Sequence, residues 1–229
     1  MKEFFDISGI PAALYGKRSD KVFLFVHGQF GCKEEAEHFA EVANPLGWQV
    51  LAIDLPEHGE RKNSPERLLP WVVVPELQFA YQYAKVHWRK VALRATSIGA
   101  WFSMLALVEK EVTHALFVSP VVDMEALITN MMQQVNVTEA QLKEAGELPT
   151  SFGETLSWPY LCWVREHPVR WNTPTQVLYP SEDNLTSCAV IERFRQQSGA
   201  HLTILEGAEH WLHTESQLAA LQAWEGVHL

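Results

Sequence analysis

Short, largely apolar runs recur along the chain. Val22 to Val26 reads Val-Phe-Leu-Phe-Val and ends at His27-Gly28, and similar runs lie at Gln49 to Ile53, Val91 to Ala95, Ala115 to Val118, Thr175 to Tyr179 and Leu202 to Leu205. Runs of this length without alternation suit strands buried on both faces of a parallel sheet. Two further extended segments, Phe4 to Ile7 and Ala12 to Tyr15, open the chain, with Gly9-Ile10-Pro11 predicted as the turn between them. The intervening stretches carry helical spacing. Ala36, Phe39, Ala40 and Ala43 line one face, and Leu77, Ala80, Tyr81 and Ala84 a second. Ile98 to Val108 is apolar almost all round, as in a helix at the centre of a domain. Ile191 with Phe194, and Leu218 with Leu221 and Trp224, mark two more. Strand and helix in alternation predict an α/β fold, a doubly wound and mostly parallel sheet within one domain spanning residues 1–229.

One region breaks the alternation. About fifty residues, roughly 121–171, separate Val121 from the strand after Trp171, with helical patches at Met124 to Val135, Thr138 to Ala145 and Glu154 to Glu166. Thr138-Glu139-Ala140-Gln141 has the form of a capping box. The stretch is too long for an ordinary loop and reads as a helical cap inserted over the carboxyl edge of the sheet, where ligands bind in such folds.

Composition narrows the classes. The 229 residues are 47% hydrophobic and 20% charged, and no run approaches the ~20 apolar residues of a membrane helix. Asp6 and Ser8 interrupt the amino-terminal apolar stretch too early for a secretory signal. Three cysteines, Cys32, Cys162 and Cys188, cannot all pair and have no metal-ligand spacing, which fits a reducing, cytoplasmic setting. The net charge of −10 disfavours nucleic acid and anionic membrane as partners.

The sharpest local signal is Ala95-Thr96-Ser97-Ile98-Gly99, directly after one strand and before a helix. A serine here sits on a tight, strained turn that thrusts its hydroxyl outward, provided the residues two before and two after are small. Ala95 and Gly99 meet that condition, and the Ile98 amide at the helix start would face a developing oxyanion. Taken alone, the same five residues also describe a serine that merely caps a helix.

With its neighbours included, the chain resembles the α/β-hydrolase superfamily over nearly its whole length. The superfamily pattern is Gly-x-Ser-x-Gly, so Ala95 departs from it mildly. His27-Gly28-Gln29-Phe30-Gly31 is similar to the His-Gly oxyanion loop, and the resemblance implies the Gln29 amide, in preference to that of Phe30, as second donor beside Ile98. His27 is expected to brace this loop. Asp54-Leu55-Pro56-Glu57-His58-Gly59 resembles the Asp-x-Pro-Gly-His-Gly loop, with Glu57 in place of a glycine, so the turn is open to change. Asp54, His58 and Arg61 are expected to hold that loop by polar contacts.

The resemblance implies an acid after a late strand. Asp183 in Pro180-Ser181-Glu182-Asp183 fits, with Glu182 and Asp123 as rivals. It implies a base after the last strand, where His210 follows Gly207-Ala208-Glu209; His213 is the competitor, expected within the last helix. Ser97, Asp183 and His210 would then form a catalytic triad cleaving a carboxylic ester or related small-molecule acyl compound through an acyl-enzyme, with no cofactor and no metal. A thioesterase or an amide hydrolase would share the triad, and a non-catalytic receptor could share the fold. Phe30, Met131, Trp158, Trp163 and Trp211 could line an apolar acyl or alcohol site. Met131, Trp158 and Trp163 could equally pack the cap onto the core. Cys32 lacks a base partner in sequence and reads as a buried thiol.

Overall fold

Every apolar run forms a strand in the computed structural model, which describes all 229 residues. The chain opens with a hairpin, β1 (Lys2–Ile7) and β2 (Ile10–Tyr15), followed by β3 (Lys21–Val26), α1 (Ala36–Ala43), β4 (Gln49–Ile53) and α2 (Pro70–His87). Next come β5 (Lys90–Thr96), α3 (Ile98–Ala106) and β6 (Ala115–Val118). After the long insertion follow β9 (Thr175–Glu182), α7 (Cys188–Ser198), β10 (His201–Glu209) and α8 (Glu215–His228). Eight strands form one sheet in the order β1-β2-β4-β3-β5-β6-β9-β10. The pairings β1–β2 and β2–β4 are antiparallel and all the others parallel.

The period-two geometry of a strand sorts each buried run into two cores. Val22, Leu24 and Val26 of β3 face a large cluster with α2, α3 and α7, whereas Phe23 and Phe25 face a smaller one with α1 and α8. Arg94, the one charged residue in the run at β5, points to the second face. Its Nε donates to Glu225 of α8 at 2.8 Å, and its guanidinium lies over the Phe25 and Phe39 rings. Chain order reverses around β3: β4 lies to one side and β5 to the other. That switch leaves a crevice at the carboxyl ends of β3 and β5, the usual ligand site in such sheets.

Several boundaries differ from expectation. The first turn is Ser8-Gly9, both with positive φ, because Ile10 pairs with Ile7 and Pro11 with Asp6 inside the hairpin. Strand β9 continues through Pro180 to Glu182, and β10 continues to Glu209 across an irregularity between Leu205 and Glu209. Gly207 supplies the positive φ within that irregular stretch, and its amide donates to Ser181 Oγ at 2.8 Å.

The insertion contains α4 (Met124–Gln134), α5 (Glu139–Ala145), the short ribbon β7 (Glu147–Pro149) with β8 (Thr155–Ser157), and α6 (Trp158–Glu166). Helix α5 begins with the expected capping box of Thr138 and Gln141. The ribbon replaces the start of the helix expected from Glu154: three residues per strand are too few to display an alternation. Leu127, Ile128, Met132, Leu142, Leu156 and Leu161 join the larger core, so the insertion shares its apolar interior with the sheet. Trp163 and Tyr160 of α6 pack against Trp101 of α3, with ring centroids 6.2 and 6.0 Å away.

Candidate active site

Ser97 ends the turn between β5 and α3 with φ 50° and ψ −124°, a conformation that side-chain-bearing residues rarely adopt. Small neighbours permit the turn. A Cβ on Gly99 would lie 2.2 Å from the carbonyl oxygen of His27, and one on Gly28 would lie 3.1 Å from the Ser97 Cβ. The strand–helix turn and the loop after β3 are thus in direct contact. The hydroxyl of Ser97 makes no helix-capping bond and meets the His210 imidazole instead, with Oγ 2.8 Å from Nε2.

On its other side, His210 Nδ1 lies 2.8 Å from Asp183 Oδ2. A carboxylate can only accept, so Nδ1 carries the proton and the neutral ring's Nε2 accepts from Ser97 Oγ–H. Asp183 is itself fixed. Its Oδ1 accepts the amides of Leu185 and Thr186 at 2.8 and 2.9 Å, and its side chain is fully covered. Ser97 keeps 8% of its surface and the His210 side chain 13%, so both remain slightly open to solvent.

The rival residues lie in other contacts. Asp123 caps α4 by accepting the Ala126 amide at 2.9 Å. Glu182 is an exposed position at the end of β9. His213 lies in the loop before α8 rather than within it, because Thr214 caps that helix in a second capping box with Gln217. The His213 ring stacks on exposed Trp211. Cys32 is half-buried, and burial together with Glu34 holds its thiol above the usual value.

The amide of Ile98 is the first of α3, with no side-chain cap. The amide of Gln29 forms no hydrogen bond within the protein, whereas that of Phe30 is occupied, donating to His58 Nε2 at 2.9 Å. Fully buried His27 donates from Nδ1 to the Gly28 carbonyl at 2.8 Å and accepts the Leu55 amide on Nε2 at 3.0 Å. Burial pushes its pKa down to about 4, so the ring is neutral. His58, although buried, forms no hydrogen bond with the Ser97 relay; its Nδ1 donates to Pro56 O at 2.7 Å.

Glu57 adopts φ 65°, the left-handed conformation a glycine would take, so the turn survives the replacement; its carboxylate accepts the Leu68 amide. Asp54 accepts the Lys33 amide, the Lys33 ammonium and the Glu60 amide, binding the loops after β3 and β4 together. Burial works against the Lys33 charge, but Asp54, Glu60 and Glu34 outweigh it and raise its pKa. Arg61 grips Glu76 of α2 with both terminal nitrogens.

The remaining candidates are dispersed. Phe30 and Trp211, adjacent in sequence to Gln29 and His210, are 87% and 74% exposed. Met131, Trp158 and Trp163 are half-buried against the larger core, and Trp163 also stacks on His167. Trp71 of α2 joins the same aromatic group beside Tyr160 and Trp163, a participant that the sequence did not reveal.

No family model matches the chain, and no curated protein matches it in sequence. Solved structures do match over almost its whole length. Est1E from Butyrivibrio proteoclasticus, in a complex with ferulic acid, superposes with a TM-score of 0.75 at 18% identity, covering 99% of this chain and 97% of that one. Alpha/beta hydrolase domain-containing protein 10 from mouse gives 0.75 at 13% identity, covering 98% and 96%. The thioesterase domain from the curacin biosynthetic pathway gives 0.57 at 17% identity, covering 98% of each chain. The fold of this chain is therefore the α/β-hydrolase fold.

Proposed function

We propose that this α/β-hydrolase-fold protein is a serine hydrolase that cleaves carboxylic esters of small molecules. The observation that carries the reading is the continuous relay from Ser97 Oγ through His210 to Asp183, two contacts of 2.8 Å built on a serine with φ 50°. His210 removes the hydroxyl proton as Ser97 attacks the carbonyl carbon, and returns it to the alcohol that leaves. Asp183 holds the tautomer and stabilises the imidazolium. The tetrahedral oxygen receives the amides of Gln29 and Ile98, each donor contributing roughly 3–4 kcal/mol. Water, deprotonated by the same imidazole, then attacks the acyl-serine, and the carboxylic acid departs.

On this reading Phe30 and Trp211 flank the entrance, and Met131, Trp158 and Trp163 contribute apolar surface from the inserted cap. The thioesterase name among the fold neighbours agrees with acyl transfer as the reaction class. Three unpaired cysteines favour a reducing, cytoplasmic compartment; no helix is long and apolar enough to cross a membrane.

The test is a fluorophosphonate label together with a chromogenic panel of esters of increasing acyl length, thioesters and aminoacyl amides. Labelling and ester turnover that both vanish in Ser97→Ala are the expected result. Preference for the thioester or amide would reassign the substrate, and a folded protein that neither labels nor turns over any of them would make the fold a non-catalytic receptor.

A further inference from the structure

The Gln29 amide can serve an oxyanion only if it points towards it before substrate arrives, and two peptide planes fix its direction. In the first, the Gly28 carbonyl is held by His27 Nδ1–H at 2.8 Å and by the Gly31 amide at 3.1 Å. Because the peptide is trans, the Gln29 N–H on the same plane points the opposite way, away from the His27 ring. Gly28 abuts Ser97, so the peptide that carries this amide starts from a residue packed against the serine. In the second plane, the Phe30 N–H is held by His58 Nε2 at 2.9 Å. Both dihedrals of Gln29 lie between these two anchored planes.

The anchoring is reciprocal. The loop after β3 sends the His27 imidazole to the Leu55 amide in the loop after β4, and that loop sends the His58 imidazole back to the Phe30 amide. The two rings lie 5.2 Å apart and both are buried. Each uses its remaining N–H on a carbonyl of its own loop, which fixes the tautomer and leaves Nε2 as an acceptor. Phe30 needs such a hold. It has φ 65°, unfavourable for any residue with a Cβ, and its ring is too exposed for packing to enforce that conformation.

We infer that His58 is a positioning residue, which aims the Gln29 amide by anchoring the peptide that follows it, in a clasp completed by His27. The inference rests on the proposed hydrolase reading and deepens it. It assigns His58, which hydrogen-bonds to none of Ser97, His210 or Asp183, an effect felt only where negative charge develops on the substrate oxygen.

The experiment compares wild type, His58→Leu and His58→Gln in ester hydrolysis, in binding of a trifluoromethyl ketone that forms a tetrahedral serine adduct, and in thermal melting. A glutamine Oε1 can occupy the place of Nε2 and accept the Phe30 amide; leucine cannot. The expected result is a kcat ten- to a hundred-fold lower in His58→Leu with KM within two-fold. Ketone affinity should fall in parallel, and His58→Gln should recover most of both losses. Amide exchange on the wild type gives a second readout that does not depend on the variants folding. Phe30 should be protected in the free protein, and Gln29 protected only in the ketone adduct. An active wild type together with unchanged kcat in folded His58→Leu, or a Phe30 amide that exchanges as fast as that of Gln29, overturns the clasp alone. A wild type that neither labels with fluorophosphonate nor turns over ester overturns the hydrolase reading and the clasp with it.

Discussion

Replacing Asp183 by asparagine isolates what its charge does, because the fold hardly needs that charge. The Oδ1 atom accepts the amides of Leu185 and Thr186, and an asparagine carbonyl can accept both in the same place. The altered atom is Oδ2, 2.8 Å from His210 Nδ1. An amide NH2 there donates, so Nδ1 must become the acceptor and the ring proton moves to Nε2. Nε2 then donates to Ser97 Oγ and can no longer take its proton. The expected loss is about 10⁴ in kcat, or about 5.5 kcal/mol of barrier, with KM little changed and the melting temperature within a few degrees of wild type. Asp183→Ala is the informative contrast: it strands two amides as well, each at about 1–3 kcal/mol, and should melt clearly lower. Asp123→Asn exchanges one good helix cap for another, gives up no more than a long, solvent-exposed pair with Arg193, and should retain full activity. Steady-state kinetics of the three variants on one ester, beside their melting curves, decides the matter. Activity in Asp183→Asn within ten-fold of wild type, or a larger loss in Asp123→Asn, would refute the relay as drawn.

Three further outcomes follow from geometry. Ser97→Gly should be inactive yet more stable, since it relieves a backbone conformation costing about 1–3 kcal/mol against a smaller glycine entropy term; a gain of about 1 kcal/mol would raise the melting point by about 2–4 °C, and a lower melting point would contradict the strain. Gly99→Ala would drive a methyl to 2.2 Å from a backbone carbonyl and should destabilise by about 3 kcal/mol or more, measured by urea unfolding; a near-neutral result would mean that turn and loop separate easily. His27, with a pKa near 4 in the folded chain, refuses a proton that the unfolded chain accepts near pH 6.5. Its contribution is therefore fully present above about pH 6.5, and is lost as pH falls to about 4, amounting to about 3 kcal/mol. His27→Gln should lose about that much less stability than wild type between pH 7 and pH 4, and parallel curves for the two proteins would count against a buried neutral ring.

How much of this was legible in the sequence depended on the range of the interaction involved. Five of the six apolar runs are strands buried on both faces, which announce themselves by composition alone. The sixth, Leu202 to Leu205, was expected to be buried likewise but lies in the edge strand β10, where no neighbouring strand covers its outer side and Ile204 is exposed. All six runs were placed to within a few residues. Their ends were not: β9 and β10 continue because Gly207 and Ser181 meet across neighbouring strands, a contact twenty-six residues apart in the chain. The ribbon β7–β8 has three residues per strand and no pattern to read. Arg94 lay in plain view within an apolar run, but its partner Glu225 is 131 residues away.

The same contrast runs through the candidate site. Ser97, Asp183 and His210 could be singled out as candidates because each follows a strand end in a turn of recognisable form, and strand ends are where a parallel sheet delivers side chains to one edge. His58 carries no such mark. As a sequence feature it was only part of a loop expected to hold itself together, and its link to Gln29 passes through a backbone amide, that of Phe30, to which side-chain identity is nearly blind. Residues that aim main-chain donors are therefore the hardest part of a site like this to find from sequence. The useful signal was local and conformational: an exposed aromatic residue with positive φ has no packing reason to be there, so something must hold its backbone. Glu57 makes the point from the other side. Its left-handed conformation is also held through an amide, but the holding group is its own carboxylate on Leu68, and the bond stays within a single loop. At Phe30, unlike Glu57, the restraint crosses between two loops, and the restrained peptide is the neighbour of an unoccupied amide in the loop that abuts the serine.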